Sequence, residues 1–202
     1  MSSAADVANQ PITFAFTPEN LERAKKVMAK YPPGRQASAV LALLDLAQRQ
    51  HGGWLPRAAM DHVAGILDMA PIRVYEVATF YTMFNLQPVG RYHLQVCRTT
   101  PCWLRGADEL TETCKRKLGI GLKGRTVDGK FSLIEVECLG ACVNAPVVQI
   151  NDDLCEDLDA KKLEALLDAL TRGEEPKMGS QIGRQGSAPE GGPQVLLGGA
   201  GE

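Results

Sequence analysis

Near Arg91 the apolar residues stop recurring every three or four positions and begin to alternate. One kind of element cannot satisfy both periods, so the chain has to build a helical part and then a part containing a sheet. Before the change, start and stop signals mark four helices. Thr17 with Pro18 reads as an N-cap followed by the first helical position, opening a helix through Lys30 that Pro32-Pro33 close. A second covers about Gln36 to Arg49, with a stripe of Val40, Leu43, Leu44 and Ala47, and Gly52-Gly53 end it. A third runs from about Arg57 to Asp68 and a fourth from about Ile72 to Phe84, before the Pro88–Gly90 break.

After Arg91, Tyr92–Cys97 and Phe131–Cys138 alternate, Leu104–Leu118 is helical, Val147–Ile150 is a short apolar strand and Ala160–Leu170 is an amphipathic helix. The order is β-α-β-β-α, and a right-handed crossover through its first helix would lay the first two strands parallel. Asn151-Asp152-Asp153 is a turn signal, so 154–158 can add a fourth strand as a hairpin. A sheet with helices on it in this order is thioredoxin-like. The expected fold is therefore α+β / α/β: an N-terminal helical bundle, then a small thioredoxin-like sheet domain. The divisions fall at 1–16 (a loose N-terminal arm), 17–90 (a helical docking domain), 91–172 (the sheet domain) and 173–202. That last stretch holds nine glycines in thirty positions, too little apolar surface to offset its ordering entropy, and reads as disordered or partner-wrapped.

Composition matters chiefly by exclusion. A net charge of -2 over 202 residues gives no general attraction to nucleic acid or anionic lipid. No run of 18 apolar residues occurs, so direct membrane insertion is not expected. The first ten residues lack the charged and apolar regions of a secretory signal, so the expected compartment is a reducing cytoplasm, where thiols stay free unless a metal holds them.

Four of the six cysteines form two close pairs: Cys97 and Cys102 in C-R-T-T-P-C, and Cys138 and Cys142 in C-L-G-A-C. Each pair begins where an expected strand ends. Parallel neighbours stand about 4.8 Å apart, so the two loops converge at the carboxyl edge of the sheet, where open α/β sheets bind ligands. Four thiolates there can hold zinc or an iron–sulfur cluster. Zinc usually staples domains too small for a core, and this one has its own strands and helices. Clusters favour small residues that let the backbone approach sulfur, which Gly140, Ala141, Thr99 and Thr100 provide. A helix starting near Trp103 would also aim its positive end at the anionic group. Spacing favours iron–sulfur and leaves zinc as the alternative.

The remaining features read as structural. Cys114 lies on the stripe Leu104, Ala107, Thr111, Cys114, Leu118, and Cys155 follows the Asn-Asp-Asp turn. His51, His62 and His93 are scattered. No phosphate loop or nucleophile elbow follows a strand, so no nucleotide site is expected. Residues 58–68 with 71–76 have helix-turn-helix spacing, but Arg73 is the sole basic residue of the would-be reading helix. Phosphate neutralisation requires more, and helix packing or protein docking is the better reading.

The runs Tyr31–Gln36, Pro71–Phe84, Val96–Gly106 and Val136–Pro146, with C-x4-C and C-x3-C pairing, resemble the thioredoxin-like 2Fe-2S subunits of respiratory complex I, the NADH-quinone oxidoreductase. The likeness covers about Phe14 to Leu170. It implies that Cys97, Cys102, Cys138 and Cys142 ligate one 2Fe-2S cluster. It implies too that NADH and FMN sit in a partner flavoprotein subunit, with which the cluster exchanges single electrons as a side branch. A neighbouring iron–sulfur subunit and a peripheral place on the cytoplasmic face of the inner membrane follow from the same resemblance. Arg98 and Arg105 are expected to raise the cluster potential and Glu137 to lower it; thioredoxin-like folds often place a cis proline at the position of Pro146, and the isomer there is left open. The alternatives are an equivalent diaphorase subunit of an NAD-linked formate dehydrogenase or bidirectional hydrogenase and, more distantly, a zinc-stapled interaction protein.

Overall fold

A computed structural model describes residues 10–189 and 191–192. Its contacts divide between two compact units, with the boundary between Val89 and Gly90.

The first unit is helical: α1 (Pro18–Met28), a 3-10 turn (Gln36–Ala39) leading into α2 (Val40–Gln50), α3 (Arg57–Ile66) and α4 (Pro71–Phe80). Thr17 caps α1 as its sequence demands, its hydroxyl accepting from the Asn20 N–H at 3.3 Å. Leu43, Leu44 and Ala47 of α2 pack with Ala59 and Val63 of α3 and Val74 and Ala78 of α4 in one buried cluster. The fourth helix stops four residues short of the expected Phe84. In its last turn the Thr79 hydroxyl donates to the carbonyls of Tyr75 and Glu76, competing with the helical ladder. Tyr81 is then extended (ψ 113°), and the chain turns back so that Phe84 enters the core.

The N-terminal segment also departs from the loose arm expected for 1–16. Phe14 and Phe16 pack edge-to-face with each other and with His62. The Phe16 N–H donates to His62 Nε2 at 3.3 Å, and Gln50 donates to the Ala15 carbonyl at 2.9 Å. Two phenylalanines in an extended segment carry no helical period, which is why pattern reading passes over them. Residues 1–9 of that arm lie outside the described residues.

The second unit is a five-stranded sheet in the order β2-β1-β3-β4-β5. Its strands are β1 (Tyr92–Cys97), β2 (Phe131–Val136), β3 (Val148–Ile150), β4 (Asp153–Glu156) and β5 (Gly179–Ser180). The first two are parallel, in register from Tyr92 opposite Phe131 to Cys97 opposite Val136. β3 and β4 form the hairpin at the Asn-Asp-Asp turn, and β3 runs antiparallel to both β1 and β4. Instead of one helix over 104–118 there are two, α5 (Thr100–Leu104) and α6 (Ala107–Leu118). Gly106 separates them in a left-handed conformation (φ 94°) that other residues adopt with difficulty. The last helix is α7 (Ala160–Arg172), capped by the Asp159 side chain, which accepts from the Lys162 N–H.

Leu110 and Cys114 of α6 and Leu163, Leu167 and Leu170 of α7 bury against Leu94, Val96, Leu133, Val148 and Ile150 of the sheet. The two helices also meet through Arg116–Glu164 and Lys117–Asp168 ion pairs. Both therefore cover the same face. At the start of the domain Gly90 lies against β2: a Cβ there would come within 2.4 Å of the Phe131 carbonyl carbon, so no larger residue fits.

The tail beyond Gly173 is more ordered than its composition suggests. β5 pairs in parallel with β4, and Arg184 forms an ion pair with Asp157 that is almost wholly buried. A composition average cannot foresee a single ion pair that locates a segment. The rest of that stretch, residue 190 and residues 193–202, lies outside the described residues.

Two consequences of the core are measurable. Burial pushes His93 down to about 4, and its Nδ1 meets the Ser132 hydroxyl at 2.8 Å, which itself accepts the Gly90 N–H. An unfolded histidine titrates near 6.5. Between these values the unfolded chain binds a proton that the folded one refuses, so stability falls as pH drops through that window. His93→Gln is expected to remove about 1–3 kcal/mol of this pH dependence, read by urea unfolding at pH 4 to 7. Separately, burial pushes Cys114 to about 12 and, with help from the Asp153 and Glu156 charges, Cys155 to about 12 as well. Neither should react with iodoacetamide at pH 8 in the native protein, and both should react on unfolding; mass spectrometry distinguishes the outcomes.

Candidate metal centre

The parallel β1–β2 ladder determines where the two cysteine loops start. Cys97 is the last residue of β1, opposite Val136, the last of β2. The ladder has no partner strand beyond these residues, so β2 ends at Val136, two residues before the expected Cys138. Cys138 therefore stands in the loop and is exposed. Cys102 lies within α5 and is buried, and Cys142 opens a 3-10 turn, Cys142–Asn144, that leads to the Ala145–Pro146 bond. That bond is cis.

The four sulfurs are close enough to act on one another. Cys138 Sγ and Cys142 Sγ are 3.5 Å apart, and Cys97 and Cys102 act electrostatically on each other. Cys97 also interacts electrostatically with Cys138 and Cys142, and Cys102 with Cys142. Cys114 and Cys155 belong instead to the core under the sheet. Among the described residues, no three Cys, His, Asp or Glu side chains close on one point as ligands of a single ion would.

Opposing influences act at these thiols. Burial alone would raise Cys97, yet the Thr99 hydroxyl, 3.3 Å from its sulfur, and the N–H groups of Thr99 and Leu139 outweigh it and hold it low. Cys102 goes the other way, pushed up to about 12 by burial and then by the neighbouring Cys97, against the influence of the Val147 N–H. The Gly140 N–H donates to Cys138 Sγ at 3.4 Å, and with Cys142 it lowers the Cys138 thiol. Cys142 is raised, first through its hydrogen bond with Cys138. Gly140 reaches this position with φ 83°. A side chain there would strain the turn that presents its N–H.

The Gly140 N–H thus donates to sulfur in the second loop, and the N–H groups of Thr99, Leu139 and Val147 favour the charged form of the sulfurs in the first. Such donors stabilise negative sulfur in a partly dry site. Thr99 has a second part that its small size does not reveal: its hydroxyl bonds Cys97 and reaches Cys138 in the other pair. Of the two cations expected to tune the site, Arg98 and Arg105, Arg98 faces the expected anion, Glu137, at 3.6 Å, both side chains largely exposed. Their influences on the loop offset one another and are screened by water. The positive end of a long helix at Trp103 is missing, because α5 is only five residues long.

With this geometry the chain matches the thioredoxin-like [2Fe-2S] ferredoxin family over residues 24–171. It is 63% identical over 163 residues to a subunit of the NADH-quinone oxidoreductase of Rickettsia bellii, covering 80% of this chain and 98% of that protein. It is 50% identical over 189 residues to the NADH dehydrogenase [ubiquinone] flavoprotein 2, mitochondrial, of Dictyostelium discoideum, covering 94% and 76%. Among solved structures, an air-oxidized NAD+-reducing [NiFe]-hydrogenase aligns with TM-score 0.59 at 23% identity, over 67% of this chain and 23% of that one. This last is a likeness of fold. Since the matched span runs from α1 into α7 and encloses all four interacting thiols, the chain belongs to the thioredoxin-like [2Fe-2S] ferredoxin family, together with these oxidoreductase subunits.

Proposed function

We propose that this chain is an electron-transfer subunit of an NADH-quinone oxidoreductase, holding one 2Fe-2S cluster on Cys97, Cys102, Cys138 and Cys142. In this reading it exchanges single electrons with FMN in an adjacent flavoprotein subunit, which also binds NADH. It would lie beside a further iron–sulfur subunit, peripheral to the membrane; among the described residues no helix is long and apolar enough to cross one. The observation that carries the proposal is the convergence of the two cysteine loops at the end of the parallel β1–β2 ladder, with Cys138 and Cys142 Sγ 3.5 Å apart and the Gly140 N–H donating to Cys138.

The donor set fits the cluster better than it fits zinc. A tetrahedral zinc with bonds of about 2.3 Å needs each sulfur about 3.8 Å from the other three. Cys138 and Cys142 form one close pair in space, and among the described residues no three such side chains converge on one point. A two-iron cluster would instead be held by Cys97, Cys102, Cys138 and Cys142 together. A bound 2Fe-2S cluster supplies reversible storage of one electron. The protein supplies the rest: Cys97 and Cys102 place their sulfurs out of water, and the N–H groups of Thr99, Leu139, Gly140 and Val147 offset the negative charge held there. Burial disfavours that charge and the donors favour it, so their balance sets how readily an electron is accepted. The hydrogenase likeness has too little identity to argue for a diaphorase of that kind, whereas the high identities are to quinone-linked subunits.

Anaerobic purification with metal analysis and low-temperature EPR tests the proposal. Two irons and two sulfides per chain are expected, with a dithionite-induced EPR signal lost in Cys102→Ser or Cys138→Ser and kept in Cys114→Ser. One equivalent of zinc per chain with no EPR signal would overturn it.

A further inference from the structure

The buried Arg184–Asp157 pair lies in a segment whose composition gives little reason for burial. Side-chain exposure is 7% for Arg184 and 3% for Asp157. The contact is two-pronged, Nη2 to Oδ1 at 2.7 Å and Nε to Oδ2 at 3.1 Å. The Ser180 hydroxyl also donates to Oδ2 at 2.7 Å, and Arg184 Nη1 donates to the Ala188 carbonyl at 3.0 Å. A buried pair of this kind adds little net stability against a hydrophobic alternative, yet it permits one geometry and penalises others. What it specifies here is the seat of residues 180–188 on the end of β4.

From that seat a continuous set of bonds reaches the second cysteine loop. The Asp157 N–H donates to the Asn144 carbonyl at 2.8 Å. Asn144 is two residues beyond Cys142, is buried, and closes the 3-10 turn by donating its N–H to the Ala141 carbonyl at 3.0 Å. Its side-chain amide donates to Glu156 Oε2 at 2.5 Å and to the Gly186 carbonyl at 2.8 Å. Both of those neighbours are acceptors, so the amide has one favourable orientation. Its Oδ1 is buried without a partner, a cost that the two donated bonds have to offset. The Gln181 N–H to the Glu156 carbonyl, at 3.0 Å, ties the strap to the same strand.

We propose that Ser180, Arg184 and Gly186 of this C-terminal strap are positioning residues for the Cys142 loop, acting through Asp157 and Asn144. Among the described residues, no hydrogen bond joins residues 180–188 to Cys97, Cys102, Cys138 or Cys142. The strap determines where the loop carrying Cys142 is held, so it controls cluster retention. The inference rests on the cluster reading above.

Coupling between two sites is reciprocal: if the strap steadies the ligand loop, loading the cluster steadies the strap. Hydrogen–deuterium exchange on the full-length wild-type chain, with the cluster loaded and after its removal by chelator, reads this directly. Exchange at 181–186 is expected to be about tenfold slower in the loaded protein. In addition, Arg184→Gln, and the charge-neutral pair Asp157→Asn with Arg184→Gln, should lose iron to bathophenanthroline about tenfold faster than wild type. Their EPR line shapes should be altered; where the single variant does not fold, the paired variant decides. Arg184→Lys should restore part of the retention. A loaded wild-type chain whose strap exchanges as fast as in the cluster-free form overturns this proposal alone. A wild-type chain that takes up no iron overturns the cluster reading and this proposal together.

Discussion

The parallel pairing of Tyr92–Cys97 with Phe131–Val136 is the constraint on which the metal centre depends. It ends both strands at the same level, so the two loops leave one edge of the sheet side by side. Everything beneath it serves to hold that register. Leu94 and Val96 on one strand and Leu133 on the other are fully buried under α6 and α7, and a one-residue slip would turn these side chains to the opposite face. A strand error would also separate Cys97 from Cys138. The stability of the core and the proximity of the thiols are therefore the same structural fact.

On that edge the chain sets burial against hydrogen bonding. Cys97 and Cys102 are both buried, yet their thiols are displaced in opposite directions, because Cys97 collects donors from Thr99 and Leu139 while Cys102 has one from Val147. Cys138 is exposed and relies on Gly140. The first loop thus gives shelter and the second gives a turn of backbone pointing inward. Asn144 extends the arrangement outward, since the turn that begins at Cys142 is bonded to the end of β4 and to the C-terminal strap. A site of this kind is preorganised by its loops and by what lies behind them.

Much of this is legible in the residues. Helix starts at Thr17-Pro18, the stop at Gly52-Gly53, the strands at 92–97 and 131 onward and the turn at Asn151 all carry local chemistry, and local chemistry survives into the fold. The limits are equally local in origin. Gly106 divides an apparently continuous helical stripe, because period alone does not register a left-handed glycine. Phe14 and Phe16 join the helical core from an extended segment that has no period to read. Arg184 is one charge in a glycine-rich stretch, and its partner Asp157 is 27 positions away.

By itself, then, the amino-acid order determined the two kinds of domain, the order of their elements and which four thiols stand in close pairs, since period, capping and spacing act over a few residues. Only the tertiary structure decided that the two pairs interact, which N–H groups face each sulfur, that Arg98 and Glu137 offset one another, and that the tail is fastened beside the second loop. Those outcomes depend on strand register and on partners far apart in the chain. Distance in space between such groups is fixed by packing, which no short stretch of sequence contains.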